Sequence, residues 1–137
     1  MRDRLPYLLY RAAATSTTMA DAGLRQVRLT ARQMGILTLI IEREPMTQRQ
    51  LGELIGVDRT TMVALIDDLE AKGFADRRRN PADRRAFLIS PTRRGINAQK
   101  RGLQVLDEIA DEFLKPLTAA QRQQLADLLR LLEPRLR

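Results

Sequence analysis

The chain contains no cysteine and no histidine among its 137 residues. The first absence removes thiol nucleophiles, disulfide switches and sensing by thiol oxidation; the second removes imidazole acid–base chemistry. Together they take away the side chains on which nearly every transition-metal site depends. There is no glycine-rich phosphate loop and no paired-carboxylate motif, so no catalytic residue, metal ligand or cofactor site is predicted, and an enzyme is the least supported class. Nothing approaches the ~18 consecutive apolar residues that a membrane-spanning helix needs. The basic start, MRDRLPYLLYRAAATS, is broken by Arg11 and runs on into polar residues. It reads as part of the fold and not as a signal peptide, which gives a cytoplasmic expectation.

What is present suits one globular unit: 44% of the residues are hydrophobic and 30% charged. A net charge of +7 with a pI near 10.9 favours a polyanionic partner. Only Lys72, Lys100 and Lys115 are lysines among the 24 basic residues. Placement says more than the total. Residues 77, 78, 79, 84, 85, 93, 94, 100 and 101 are basic, and Asp83 is the one acid between Arg77 and Arg101. Such a run is either a solvated face or a surface that meets something strongly negative.

Helical periodicity dominates the rest. Leu5, Leu8, Leu9 and Ala12 open an amphipathic helix expected to end at about Ala22, before Gly23. Thr30 with Gln33 forms a capping box ahead of a buried helix carrying Ile36, Leu37, Leu39, Ile40 and Ile41, and Glu44-Pro45 stops it. Thr47 with Gln50 starts a short helix whose inner residues are Leu51, Leu54 and Ile55. Gly56 then supplies a left-handed turn, and Asp58 caps a helix with Met62, Leu65, Ile66 and Leu69 inward, ending at Lys72-Gly73. Two short helices around a glycine turn make a helix-turn-helix, a unit that plain helical bundles also contain.

FADRRR and RAFLIS, separated by NPAD, read as two strands joined by a turn. A hairpin directly behind a helix-turn-helix is a wing. Phe74, Phe87 and Ile89 are expected to pack inward and the arginines to face out, although strand alternation prevents Arg77, Arg78 and Arg79 from all pointing one way. Thr92 caps a helix of about twenty residues with Leu103, Leu106, Ile109, Ala110, Phe113 and Leu117 on its inner side. Thr118 with Gln121 caps a last helix bearing Leu125, Leu128, Leu129, Leu132 and Leu136. The expected fold is mainly α with a small β-hairpin. A lobe spanning about 30–90 closes its own core, so the leucine rows at 5–12 and 125–136 need another surface. A second chain would cover them; a monomer with a helical cap is the alternative.

At these residues the chain resembles the MarR family of winged-helix transcriptional regulators. The resemblance runs from about Leu29 to Gly95 and is strongest in LGELIGVDRTTMVALIDDLEAKGFADRRRNPADRRAFLISPTRRG. The DLEAKGF helix end, the DRR wing tip and the closing T-x-x-G stand in the family's order and spacing. The resemblance implies a single MarR-like domain, with a winged helix-turn-helix lobe at about 30–92 and N- and C-terminal dimerisation helices at about 1–28 and 93–137. It also implies a homodimer on a near-palindromic double-stranded operator, acting as a repressor released by a small aromatic or phenolic ligand. A winged-helix module docking on an acidic protein is the competing reading.

By that resemblance, Asp58, Arg59, Thr60, Thr61, Val63 and Ala64 form the recognition stretch, entering the major groove. Arg59 is suited to guanine, and Val63 and Ala64 to thymine methyls. The family often has a hydroxyl residue and an arginine where this chain has Val63 and Ala64, which puts guanine readout at Ala64 out of reach. Thr47, Gln48 and Arg49, at a helix N-terminus, suit phosphate contacts, with Thr47 equally explained as a cap. In the wing, Arg84 or Arg85 would enter the minor groove, Arg77, Arg78 and Arg79 would flank it, and Asp83 would pair with an arginine. Pro91 replaces the apolar residue usual before the closing threonine. Tyr7 and Tyr10 are candidates for a ligand pocket, and core packing explains them as well.

Overall fold

The computed structural model describes residues 1–43 and 45–133. The expected stop at Glu44 and the last leucine of the C-terminal row, Leu136, lie outside the described residues.

Helix α1 (Leu5–Leu24) begins with a proline in its first turn, where a missing amide costs nothing. It does not end before Gly23. It runs on to Leu24 because Gly23 is a packing position: a Cβ there would fall 2.3 Å from Ile109 Cδ1. A 3₁₀ turn (Arg25–Val27) follows, closed by Arg28 in the left-handed conformation at φ 61°, a strain of about 1 kcal/mol for a residue with a Cβ. Helix α2 (Ala31–Glu42) and helix α3 (Gln48–Ile55) each start with the expected capping box, complete in both directions. Gly56 takes φ 77°, and the Asp58 carboxylate accepts from the Thr61 amide at 2.7 Å to start α4 (Arg59–Ala71).

Strands β2 (Ala75–Asn80) and β3 (Asp83–Pro91) form the wing. Their register is regular from Ala75↔Pro91 to Arg79↔Phe87 and then shifts to Asn80↔Asp83, leaving Arg84, Arg85 and Ala86 unpaired in a bulge at the tip. The hairpin is not alone. Met46–Thr47 form a short strand, β1, that pairs antiparallel with Ile89 and Leu88, so the sheet order is β1-β3-β2. Helix α5 (Arg93–Phe113) is capped by Thr92, and α6 (Ala119–Leu132) opens with the third capping box, Thr118 with Gln121.

Leu24, Ile36, Leu37, Leu51, Met62, Ile66, Leu69 and Ile89 form one fully buried core across α1, α2, α3, α4 and the sheet. Three inner positions expected from periodicity are exposed: Leu54, Leu103 and Ala110. On α5 the buried row is Gly95, Ala98, Gln99, Gly102 and Val105, small residues that let the helix lie close against the lobe. Of the two leucines of α5, Leu106 packs at the edge of the core and Leu103 faces away from it. Leu5, Leu8 and Leu9 on α1 and Leu125, Leu128, Leu129, Leu131 and Leu132 on α6 are exposed as well, and α6 has no buried residue among those described.

A polar tie joins the end of α4 to the start of α2. Gln33, 2% exposed, donates to Asp68 and accepts from the Thr30 amide, while Lys72 Nζ donates to Asp68 and to the Arg28 carbonyl at 2.7 Å. The Lys72 and Gln33 hydrogen bonds hold the Asp68 carboxyl below its usual range. A depressed folded-state pKa contributes stability at neutral pH that disappears as pH falls through the carboxylate range. Asp68→Ala is expected to destabilise the fold by about 1 kcal/mol, the low end for stranding a buried donor because Asp68 is half exposed. In urea unfolding the gap to the parent should close below about pH 4; a gap that persists there would assign the effect to packing.

Candidate nucleic-acid interface

One cleft of about 880 Å³ lies between α4 and the wing. It brings together residues from all three sequence-predicted groups: Thr47, Gln48 and Arg49 at the start of α3, Arg59 and Val63 on α4, and Arg77, Asp83 and Arg85 from the wing. The cleft exists because β1 leads straight into α3 while pairing with β3, which sets the first turn of α3 beside the wing.

The cations in and around this cleft are not equivalent. Arg77, whose side chain is 18% exposed, is paired with Asp67 and with Glu70 at 2.6 Å, and it also donates to Gln48 Oε1 and the Val63 carbonyl. It braces β2 against the outer face of α4 instead of pointing outward with the other arginines. Arg79 lies over the Phe87 ring at 5.5 Å and donates to the Arg84 carbonyl, so Phe87 stays on the surface, 40% exposed, as a platform and does not pack inward. Arg49 pairs with Glu53 at 3.1 Å across exposed side chains, a contact weak enough to be exchanged for another anion. The side chains of Arg59, Arg78, Arg84 and Arg85 are exposed and have no hydrogen bond or ion pair among the described residues.

Asp83 does not pair with a guanidinium. Its carboxylate accepts from the Arg85 amide at 3.0 Å, a local turn that shapes the bulge and thereby aims Arg84 and Arg85. Asp58 is occupied as the α4 cap, and the Thr61 amide hydrogen bond holds its carboxyl below the usual range, so it remains an anion at the helix start. Thr60 and Ala64 are exposed on the outer face of α4, while Thr61 and Val63 are half-buried. Thr47 is a cap, its hydroxyl accepting from Gln50 at 3.2 Å, and it lines the cleft as well. Tyr10 is 69% exposed and Tyr7 half-buried, so α1 does not hold them as core. Neither lines this cleft. Among the described residues no cluster of acidic side chains could hold a metal, and no helix is long and apolar enough to cross a membrane.

Sequence reasoning missed the Gln33–Asp68–Lys72 tie and the bracing role of Arg77. Asp67 and Glu70, three apart on α4, were the available signal for the second.

Comparison with known proteins places this geometry. The family model described as MarR family matches residues 29–87. The organic hydroperoxide resistance transcriptional regulator of Bacillus subtilis (strain 168) is 27% identical over 126 residues, covering 88% of this chain and 86% of that protein. A cysteine-to-serine variant of MarR from E. coli, solved in complex with operator DNA, superposes with a TM-score of 0.80 at 26% identity over 93% of this chain and 92% of its own. The transcriptional repressor CouR, bound to a 23-mer DNA duplex, gives a TM-score of 0.85 at 26% identity over 96% and 93%. With the winged helix-turn-helix, the three-stranded sheet and the flanking helices all in place, the chain is similar over nearly its whole length to transcriptional regulators of the MarR family.

Proposed function

We propose that the protein is a homodimeric, sequence-specific DNA-binding regulator, a repressor that releases its operator on binding a small aromatic or phenolic ligand. It acts by binding and not by catalysis, and it works in the cytoplasm. The reading is carried by one observation: a single cleft gathers the first turn of α3, the outer face of α4 and the wing tip, with Arg59 and Arg85 left unpaired. The two neighbours solved on DNA support it.

In this reading the lobe at about 30–92 presents α4 to the major groove, with Arg59 at base edges and Val63 and Ala64 on thymine methyls. Thr47, Gln48 and Arg49 hold phosphates, and Arg84 and Arg85 enter the adjacent minor groove. The exposed leucines of α1 and α6, with Leu103 of α5, form the dimer surface. Burying them yields roughly 25 cal/mol per Å², and a contiguous apolar face of this kind is uncommon on a monomer. Sedimentation velocity should give a two-chain mass; a single-chain mass at micromolar concentration would remove the dimer.

The test of function is selection of bound fragments from the chain's own genome. The expected result is a near-palindrome with half-sites about one helical turn apart. Log affinity should fall steeply with log salt, in proportion to the phosphates neutralised. A flat salt response, or no bound DNA at low salt, would favour an acidic protein partner.

A further inference from the structure

The wing tip carries its cations on backbone that the regular strand register does not hold. That register runs as far as Arg79↔Phe87 and resumes at Asn80↔Asp83, so Arg84, Arg85 and Ala86 have no partner on β2. Unpartnered backbone and two adjacent like charges both favour a loose tip. Three side chains oppose this. Asn80 Oδ1 accepts from the Ala82 amide at 3.0 Å, and Asp83 Oδ1 accepts from the Arg85 amide at 3.0 Å. Arg79 supplies the third restraint. Its Nη1 donates to the Arg84 carbonyl at 2.9 Å while the guanidinium carbon lies 5.5 Å from the centroid of the Phe87 ring. Arg79 and Phe87 are direct cross-strand partners, the spacing at which side chains on one face of a hairpin meet.

We propose that Arg79 is a positioning residue for DNA recognition: stacked on Phe87 and bonded to the Arg84 carbonyl, it fixes the bulge that projects Arg84 and Arg85. Phe87 and Arg85 line the cleft between α4 and the wing, and Arg79 does not. Arg79 therefore acts through the tip and not at the cleft surface. Its charge is taken up by a ring face and a carbonyl dipole, two electron-rich partners within the hairpin. The exposed guanidinium groups of Arg84 and Arg85 stay available to an outside anion. The double duty requires arginine. A planar guanidinium stacks with its face and donates with its edge at once, whereas an ammonium offers neither a face nor a fixed fork. Phe87 is part of the device, because the ring on which Arg79 rests also stands at the cleft wall. The ordering of the tip stands on these contacts alone; its consequence for affinity rests on the DNA-binding reading.

The experiment has two arms, each comparing the full-length parent with Arg79→Lys, Phe87→Leu, Phe87→Tyr and the Arg79→Lys/Phe87→Leu double variant. In the first, NMR relaxation without DNA reads the backbone order parameters of Arg84, Arg85 and Ala86. They should fall from about 0.85 to about 0.6 or lower in Arg79→Lys and in Phe87→Leu, and stay near the parent value in Phe87→Tyr, which keeps the ring. In the second, anisotropy on the selected operator should show roughly fivefold weaker binding by Arg79→Lys although the charge is conserved, with an unchanged salt slope. The double variant should bind within about twofold of the weaker single variant, since both changes break one contact. Unchanged order parameters would overturn the proposal. So would full affinity in Arg79→Lys, which would leave Arg79 as a cation near the backbone, or additive losses in the double variant. A salt slope flatter by about one per lobe would mean that a phosphate contact was lost, and overturns it too. A parent that binds no DNA would defeat the functional reading, while the first arm still judges the tip.

Discussion

Arg85→Ala is expected to lower affinity for the selected operator by more than about tenfold while leaving the fold intact. The guanidinium is exposed, has no hydrogen bond or ion pair among the described residues, and stands at the rim of the cleft in the unpaired bulge. Its removal strands nothing. A dimer loses the contact twice, so a tenfold effect needs only about 0.7 kcal/mol from each lobe. Hydrogen bonds to charged groups typically contribute roughly 1.5–3 kcal/mol, so the expected loss is modest by that measure. The contrast is Arg77→Ala, which breaks pairs to Asp67 and Glu70 and should reduce stability as well as binding. Fluorescence anisotropy on the operator duplex, paired with thermal melts, separates the two. Equal affinities of Arg85→Ala and the parent would take the wing tip out of the interface.

Gly95→Ala is expected to destabilise the protein by about 3 kcal/mol or more, at the upper end for overpacking a core. A Cβ at Gly95 would stand 1.9 Å from the Phe74 carbonyl oxygen and 2.8 Å from its carbon. That carbonyl cannot retreat easily, because it accepts from the Thr92 amide, and the Thr92 hydroxyl also donates to the Gly73 carbonyl. Gly102 provides the control. Its Cβ would meet the Met34 sulfur, the far end of a flexible side chain, at 2.7 Å. Relief of the glycine penalty in a helix, about 1 kcal/mol, should offset much of that cost. Urea unfolding at one fixed protein concentration should therefore separate the two variants widely. Matching midpoints would mean that α5 is not pinned where it crosses Phe74.

Elements set by near neighbours in the chain were the legible ones. The capping boxes at Thr30, Thr47 and Thr118 need only a hydroxyl and a glutamine three residues apart, and each formed. The Gly56–Asp58 turn is equally local. Strand β1 was not legible: two residues carry no periodicity, and Met46–Thr47 became a strand because β3 offered a free edge. The face of α5 was misjudged for a different reason. The helix bears two stripes, and close approach to the lobe selects the one with Gly95, Ala98 and Gly102, leaving Leu103 on the far side. At the candidate site, residues singled out by type and spacing from α3, α4 and the wing line one cleft. Charge alone could not tell Arg77, which meets Asp67 and Glu70 through the fold, from Arg85, whose side chain has no hydrogen bond or ion pair among the described residues.

The pairing of Met46 with Ile89 and of Thr47 with Leu88 has a mechanical outcome. It couples the base of the wing to the start of α3, so neither can swing without carrying the other, and the reading head turns as one piece. A signal acting on such a head cannot easily reshape what it reads. It can change only how far apart two heads stand, which makes spacing along the duplex the quantity under control.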